Sequence, residues 1–339
     1  MSTETSWRER AETLSKQNGL VFLGVASLDY REDADRLTQW LSEKRHADLH
    51  YLEKNHALRT QPAGLLEGAS AAVVLALPYF LPEMPSPQIA RYARFADYHR
   101  VLREKAEHVA RGLFLGGTFR VTVDSAPLLE RALAVRTRRG FVGKNTLYIH
   151  PEHGSFLLLG EILTTEKIAL DTPVPQALDR KTRDGGCGPC GLCQTACPTG
   201  ALDRAYTLQT DRCLSYWTIE QRGTIPEEFW PWIAEYYFGC DLCQLACPYN
   251  KHAAKPPSDW SERVYPPVER VAVMSQQEYE THFGGTPLTR AKRSGLRRNA
   301  LIALAVRNHP SLDQALAHIP CDSDPVLEAT AQQIRAYLG

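Results

Sequence analysis

Two cysteine-rich runs carry the densest chemistry of this 339-residue chain. The first is C-G-P-C-G-L-C-Q-T-A-C-P, with Cys187, Cys190, Cys193 and Cys197 followed by Pro198. The second is C-D-L-C-Q-L-A-C-P, with Cys240, Cys243 and Cys247 followed by Pro248. Gaps of two, two and three residues ending in Cys-Pro are the bacterial ferredoxin spacing, in which three thiolates grip one cubane and the fourth reaches across to the other. The second run lacks its leading cysteine, because the position three residues before Cys240 is Tyr237. Cys213, between the runs, is the free candidate to replace it. The spacing therefore assigns one 4Fe-4S cluster to Cys187, Cys190, Cys193 and Cys247. It assigns the other to Cys197, Cys213, Cys240 and Cys243, and leaves Cys321 over. Zinc sites and disulfides are the bland alternative, but structural zinc usually announces itself as paired C-x-x-C, not three-plus-one runs.

Clusters of this type pass electrons singly at low potential, and a free ferredoxin would not need some 165 residues of preceding chain. The clusters are expected to feed a second redox centre or a substrate there. No G-x-G-x-x-G fingerprint is present, which argues against a nicotinamide or Rossmann-flavin site. Thiolate ligation calls for a reducing compartment. The N-terminal M-S-T-E-T-S-W-R-E-R has no apolar run and no window approaches the ~18 apolar residues of a membrane span. A cytoplasmic protein without membrane contact is expected. The formal net charge is +0, which says nothing about local patches. Residues 131–144 carry Arg131, Arg136, Arg138, Arg139 and Lys144, and residues 290–298 carry Arg290, Lys292, Arg293, Arg297 and Arg298, neither with an acid among them. Each run reads as a candidate nucleic-acid surface or as a solvated helix face. Tyr92, Tyr98 and Trp217 are aromatic candidates for stacking a base, or core residues.

The elements that must position these groups read as follows. Helices are expected over 5–18, 32–47, 99–115 (stopped by Gly116-Gly117) and 127–138, with Pro127 in a first turn. Nearly continuous apolar runs at 20–26 and 71–77 read as buried strands, with further strands at 119–123, 146–149 and 155–163. Strands alternating with helices over 1–168 predict an α/β cofactor domain. Residues 167–186 read as a linker within a ferredoxin-like two-cluster domain over 169–255, and 256–339 as a helical segment with 296–306 and 325–338 as one antiparallel pair. Asp124 ends a buried strand just before a helix, where active-site residues of open α/β sheets collect. On local sequence alone it reads better as the helix N-cap, with an ionised carboxylate.

The order of motifs resembles the epoxyqueuosine reductases. It runs Asp97-Tyr98-His99, V-D-S-A-P-L-L-E-R from Val123, G-F-V-G-K-N-T from Gly140, L-G-E-I from Leu159, the two cysteine runs with C-L-S-Y between them, and Arg298-Asn299-Ala300. The likeness extends over about 15–310. It implies a cobalamin in the N-terminal domain, reduced through two 4Fe-4S clusters by a low-potential electron donor. It further implies reduction of epoxyqueuosine to queuosine at the wobble position of tRNA, and a HEAT-like C-terminal segment contacting tRNA, here little more than one helix pair. A monomer is expected. With the resemblance, Asp124 becomes the general acid, its pKa raised by burial against the corrin. Arg59, Lys144, Asn145, Tyr148, Leu159, Ile162, Ser215 and Asp241 become candidate cofactor contacts, each with an ordinary structural alternative. No D-x-H-x-x-G box is present, so histidine ligation of cobalt is not expected. Reductive dehalogenases share these cofactors but act on organohalides and usually carry an export signal. A ferredoxin-type electron-transfer protein would bind no cobalamin.

Overall fold

The computed structural model describes residues 3–82, 88–114, 118–171, 186–319 and 324–339. Cys321, the Gly116-Gly117 stop and most of the 167–186 linker lie outside the described residues. Four strands, β1 (Val21–Ser27), β2 (Ala71–Pro78), β3 (Phe119–Thr122) and β4 (Leu157–Thr164), form the main sheet in the order β1-β2-β4-β3. Every pairing in it is antiparallel. Strands and helices alternate as the sequence predicts, but the sheet is not of the open parallel kind. The late strand β4 hydrogen-bonds between β2 and β3 and runs antiparallel to both, and β1 is antiparallel to β2.

Both β2 and β4 are covered on both faces, which explains the unbroken apolar sequence of β2 and the largely apolar one of β4, interrupted by Glu161. One face carries α1 (Thr3–Gln17) and α3 (Tyr98–Leu113), with Leu75, Leu102, Val109 and Ile162 in its core. The other carries α4 (Glu130–Arg136), packed with Leu23, Val74, Leu133, Leu159 and Leu163. Between β1 and β2 the chain forms α2 (Arg31–Ser42) and short helical turns. Helix α4 begins at Glu130, not at Pro127. The intervening backbone turns back on itself instead, with Ser125 N–H donating to the Val123 carbonyl and Leu128 N–H to that of Ala126.

In the cysteine module, α5 (Leu192–Thr195) packs on α6 (Leu242–Leu245). The module is tied to both of its neighbours. Ala253 and Trp260 enter the sheet's core, while Leu214, Ile219 and Phe238 enter the core of the C-terminal helices. A parallel bridge joins Gln88–Ile89 to Tyr236–Phe238. Helix α7 (Lys292–Val306) is the axis of the C-terminal part. It contacts helices Trp230–Glu235 and Val268–Val273 and α8 (Pro325–Leu338), and residues 295–305 are buried without interruption. It is thus the centre of a helical cluster, with α8 as one of several partners. No helix among the described residues is long and apolar enough to cross a membrane.

Candidate active site

Asp124 follows β3 with a left-handed backbone, φ 48°, a conformation that costs a non-glycine residue roughly 1–2 kcal/mol. It does not cap α4, whose preceding residue is Leu129 and has no side-chain cap. Its carboxylate turns instead to the start of α3. The Tyr98 hydroxyl donates to Asp124 Oδ2, and His99 Nε2 lies 3.0 Å from the same oxygen. The other ring nitrogen, Nδ1, is 2.7 Å from Asp97 Oδ1, and the Asp97 carboxylate also caps α3 by accepting from the His99 backbone N–H. Tyr98 and His99 stack at 4.1 Å between centroids.

These contacts set the protonation states. Burial pushes Asp124 up, but hydrogen bonds from His99 and Tyr98 outweigh it and hold the carboxyl below its ordinary range. Burial lowers His99, yet the bonds to Asp124 and Asp97 raise it to about 9. Burial and the adjacent Asp124 charge keep Tyr98 protonated, as a donor. Among the protein's own groups the balance therefore runs opposite to a raised Asp124: the carboxyl is held down and the His99 imidazole is raised.

The Asp124 side chain is 55% exposed although protein surrounds it on most sides. Around it lie groups the sequence reading passed over. The Glu130 carboxylate accepts the Asp124 backbone N–H, and burial, then the Asp124 charge, raise it to about 8. Glu161 is fully buried, accepts from the Thr122 hydroxyl, and is pushed well up by burial and then by Glu130. The signal for Glu161 was a lone acid inside a continuous apolar strand. Nearby, the Arg290 guanidinium lies over the ring of Tyr51 at 5.6 Å and is paired with Glu220, and the charges of both Asp124 and Arg59 reach Tyr51.

The eight described cysteines separate into two sets. The sulfurs that raise Cys193 beyond the effect of burial are Cys187, Cys247 and Cys190, and Cys247 is raised by burial, then by Cys187 and Cys190. Cys240 and Cys243, lifted chiefly by burial, are each affected by Cys213 and Cys197. Among the described residues no three of these sulfurs lie within 4.8 Å of one another. A single tetrahedral zinc with bonds near 2.3 Å needs sulfurs about 3.8 Å apart, and neither set is drawn together that closely. The segment around Cys213 is irregular, with one π-helical turn at Tyr216–Glu220. The Ser215 backbone and hydroxyl and the Tyr216 backbone hydrogen-bond to the Cys213 sulfur.

Other predicted contacts fall in different places. Lys144 Nζ donates to the carbonyls of Gly188 and Cys190, at 2.8 and 2.6 Å, and the Lys144 backbone N–H faces Cys187 Sγ at 3.4 Å. Asn145 Nδ2 donates to the Cys243 carbonyl. The Lys144-Asn145 turn thus ties the two cysteine loops together, and both side chains are engaged there. Asp241 is buried against Arg91, whose N–H and guanidinium both donate to it. Tyr148 and Leu159 share one core and Ile162 lies in the other. Three residues apart on a strand, Leu159 and Ile162 point to opposite faces and cannot line one surface. Arg59 is partly buried, and its Nε has no hydrogen-bond partner among the described residues.

The basic runs also divide. Arg138, Arg290 and Lys292 are exposed. Arg131 donates to the Thr146 carbonyl, Arg139 pairs with Glu12, and Arg293 donates to the Met274 carbonyl. Arg297 and Arg298 are interior, and their placement at a tRNA surface is corrected. Arg297 donates to the Ala272 carbonyl, and Arg298 to those of Trp217, Gln221 and Gly223. The interior position of α7 leaves them no solvent face. The three aromatic candidates are likewise packed. Tyr92 lies against Phe238, Trp217 lies against Phe229 and donates to the Asp211 carbonyl, and Tyr98 is held by Asp124.

Comparison with known proteins agrees with this arrangement. The model of a 4Fe-4S double cluster binding domain matches residues 186–250, and that of epoxyqueuosine reductase QueG, DUF1730, matches 59–125. The epoxyqueuosine reductase of Escherichia coli K12 is 32% identical, over 93% of this chain and 86% of its own. An epoxyqueuosine reductase solved with an epoxyqueuosine-modified tRNA-Tyr stem loop superposes with TM-score 0.80 at 28% identity, covering 97% of this chain and 89% of that one. Another, from Bacillus subtilis with its catalytic aspartate loop swung out of the active site, gives TM-score 0.81 at 28% identity, over 98% and 90%. With a relative this similar matched over nearly all of both chains, the protein belongs to the epoxyqueuosine reductase family.

Proposed function

We propose that this chain reduces epoxyqueuosine to queuosine at the wobble position of tRNA, as an oxidoreductase using two 4Fe-4S clusters and cobalamin. The observation that carries this reading is the cluster in which the Asp124 carboxylate meets Tyr98 and His99, in a chain that also gathers its thiols into two sets of four. Opening an epoxide to an alkene consumes two electrons and two protons and releases water. The cluster ligands in this reading are Cys187, Cys190, Cys193 and Cys247, and Cys197, Cys213, Cys240 and Cys243. The electrons come from a low-potential donor.

The residues fit the larger cofactor. The buried, unpartnered Arg59 Nε and Glu161 Oε1 are polar atoms of the kind that corrin amides satisfy. Arg59 is the residue that would hold it, with Ser215 placed beside Cys213. When bound, cobalamin supplies a strongly reducing, nucleophilic cobalt. Both nitrogens of His99 are engaged by carboxylates, so its ring is committed to proton handling and not to holding a metal. Asp124, ionised at rest, relays to the departing oxygen a proton that His99 holds at neutral pH, while Tyr98 stays a hydrogen-bond donor to the carboxylate. Arg290, Lys292 and Arg138 are the exposed cations for tRNA phosphates.

In domain terms, 1–168 holds the cofactor, 169–255 the clusters, and 256–339 is a HEAT-like segment that contacts tRNA. The protein works as a monomer in the cytoplasm. Anaerobic incubation of cluster- and cobalamin-loaded protein with epoxyqueuosine-containing tRNA and a reductant, followed by nucleoside analysis, tests the reading. Queuosine is the expected product, and unchanged epoxyqueuosine with fully loaded protein overturns it.

A further inference from the structure

The loop bearing Asp124 is held by very little. Its internal hydrogen bonds are tight local turns, Ser125 N–H to Val123 and Leu128 N–H to Ala126, with the Ser125 hydroxyl also on the Val123 carbonyl. Regular helical bonding resumes only where Leu133 N–H reaches the Leu129 carbonyl. Among the described residues, two anchors tie positions 124–127 by hydrogen bonds to anything beyond the loop. One is the Asp124 carboxylate on Tyr98 and His99, and the other is the Asp124 backbone N–H on Glu130. The first anchor is the working group itself, and any reaction that moves its proton loosens it.

Glu130 is built for the second anchor. It is the first residue of α4, whose residues Ala132–Val135 are buried in the sheet's core, so its backbone is fixed. From there its carboxylate reaches back over the loop to an N–H that a left-handed residue turns away from the strand. That bond rewards a backbone conformation Asp124 would otherwise leave. With φ relaxed to the ordinary negative region, the Asp124 side chain leaves the direction of Tyr98 and His99. We infer that Glu130 is a positioning residue, a latch that holds the Asp124 loop in its productive conformation through the Asp124 backbone amide. The inference rests on the proposed role of Asp124 and adds a residue that touches neither substrate nor cofactor.

The latch needs an acceptor oxygen at this position and not a charge, so the test pairs Glu130→Ala with Glu130→Gln. Fully loaded E130A is expected to lose about 10- to 100-fold in kcat, with KM for tRNA and cluster content unchanged. E130Q, which keeps the acceptor, is expected to stay within about threefold of wild type. Wild-type kcat in E130A overturns the latch. So does an equal loss in both variants, which would make Glu130 a proton carrier instead. Hydrogen exchange at the Asp124 amide of the wild-type holoprotein supplies a readout that needs no variant to fold. Protection that E130Q retains is expected, and exchange at the rate of a free loop amide overturns the proposal. Wild-type protein that leaves epoxyqueuosine untouched defeats the functional reading instead, while the amide measurement still judges the latch.

Discussion

His99 joins two carboxylates: its Nε2 stands 3.0 Å from Asp124 and its Nδ1 2.7 Å from Asp97. Asp97 caps the helix in whose first turn His99 lies, and Asp124 follows a strand, so the arrangement makes the imidazole the proton store of the site. A raised His99 pKa, from 6.5 to about 9, means that its stabilising contribution is complete below about pH 6.5 and is lost as pH rises through about 9. Turnover is expected to fall over that upper limb. His99→Gln should remove the limb and lower kcat by about 10²-fold. Chemical denaturation at pH 6 and pH 10 should find the variant less stable than wild type at the lower pH and nearly equal at the higher.

Asp124→Asn keeps the shape of the side chain and abolishes its proton traffic. Iron, sulfide and cobalamin contents are expected to match wild type, while single-turnover formation of queuosine drops by about 10²–10⁴-fold. Wild-type turnover in this variant would refute the acid.

Cys213 lies with Cys197, Cys240 and Cys243, apart from the other four thiols. Cys213→Ala should damage the cluster of that set and spare the other, so that iron per chain falls to about half of wild type and one of two EPR signals survives. Reduction of cobalt through the clusters should stop. A variant with full iron content would remove Cys213 from the ligand set.

The arginines of α7 and its preceding turn should part company on mutation. Arg290→Glu is expected to weaken tRNA binding and lower the magnitude of its salt slope by about one. Arg298→Ala should instead destabilise the fold by at least about 3 kcal/mol, because the carbonyls of Trp217, Gln221 and Gly223 lose their donor inside the protein. Titration of binding against salt, and denaturant midpoints, separate the two effects.

Sequence by itself determined what depends on spacing along the chain. The two cysteine runs, the gap at Tyr237 and the order of motifs that signals the family are one-dimensional facts. The helices and strands of the first domain were legible for a similar reason, since apolar runs such as Ala71–Leu77 specify strands buried on both faces. Tertiary structure decided what depends on neighbours far away in sequence. The late strand β4 enters between β2 and β3 and runs antiparallel to both, and no local pattern marks that placement or pairing direction. The same holds for Arg297 and Arg298, which read as a charged surface until the surrounding helices enclose α7. Asp124 is the sharpest case. Its residue type and place after a strand mark it for chemistry, but whether it rests protonated or ionised follows from His99, Tyr98 and Glu130. A side chain's pKa is a sum over desolvation, charges and hydrogen bonds, and the fold alone assembles that sum.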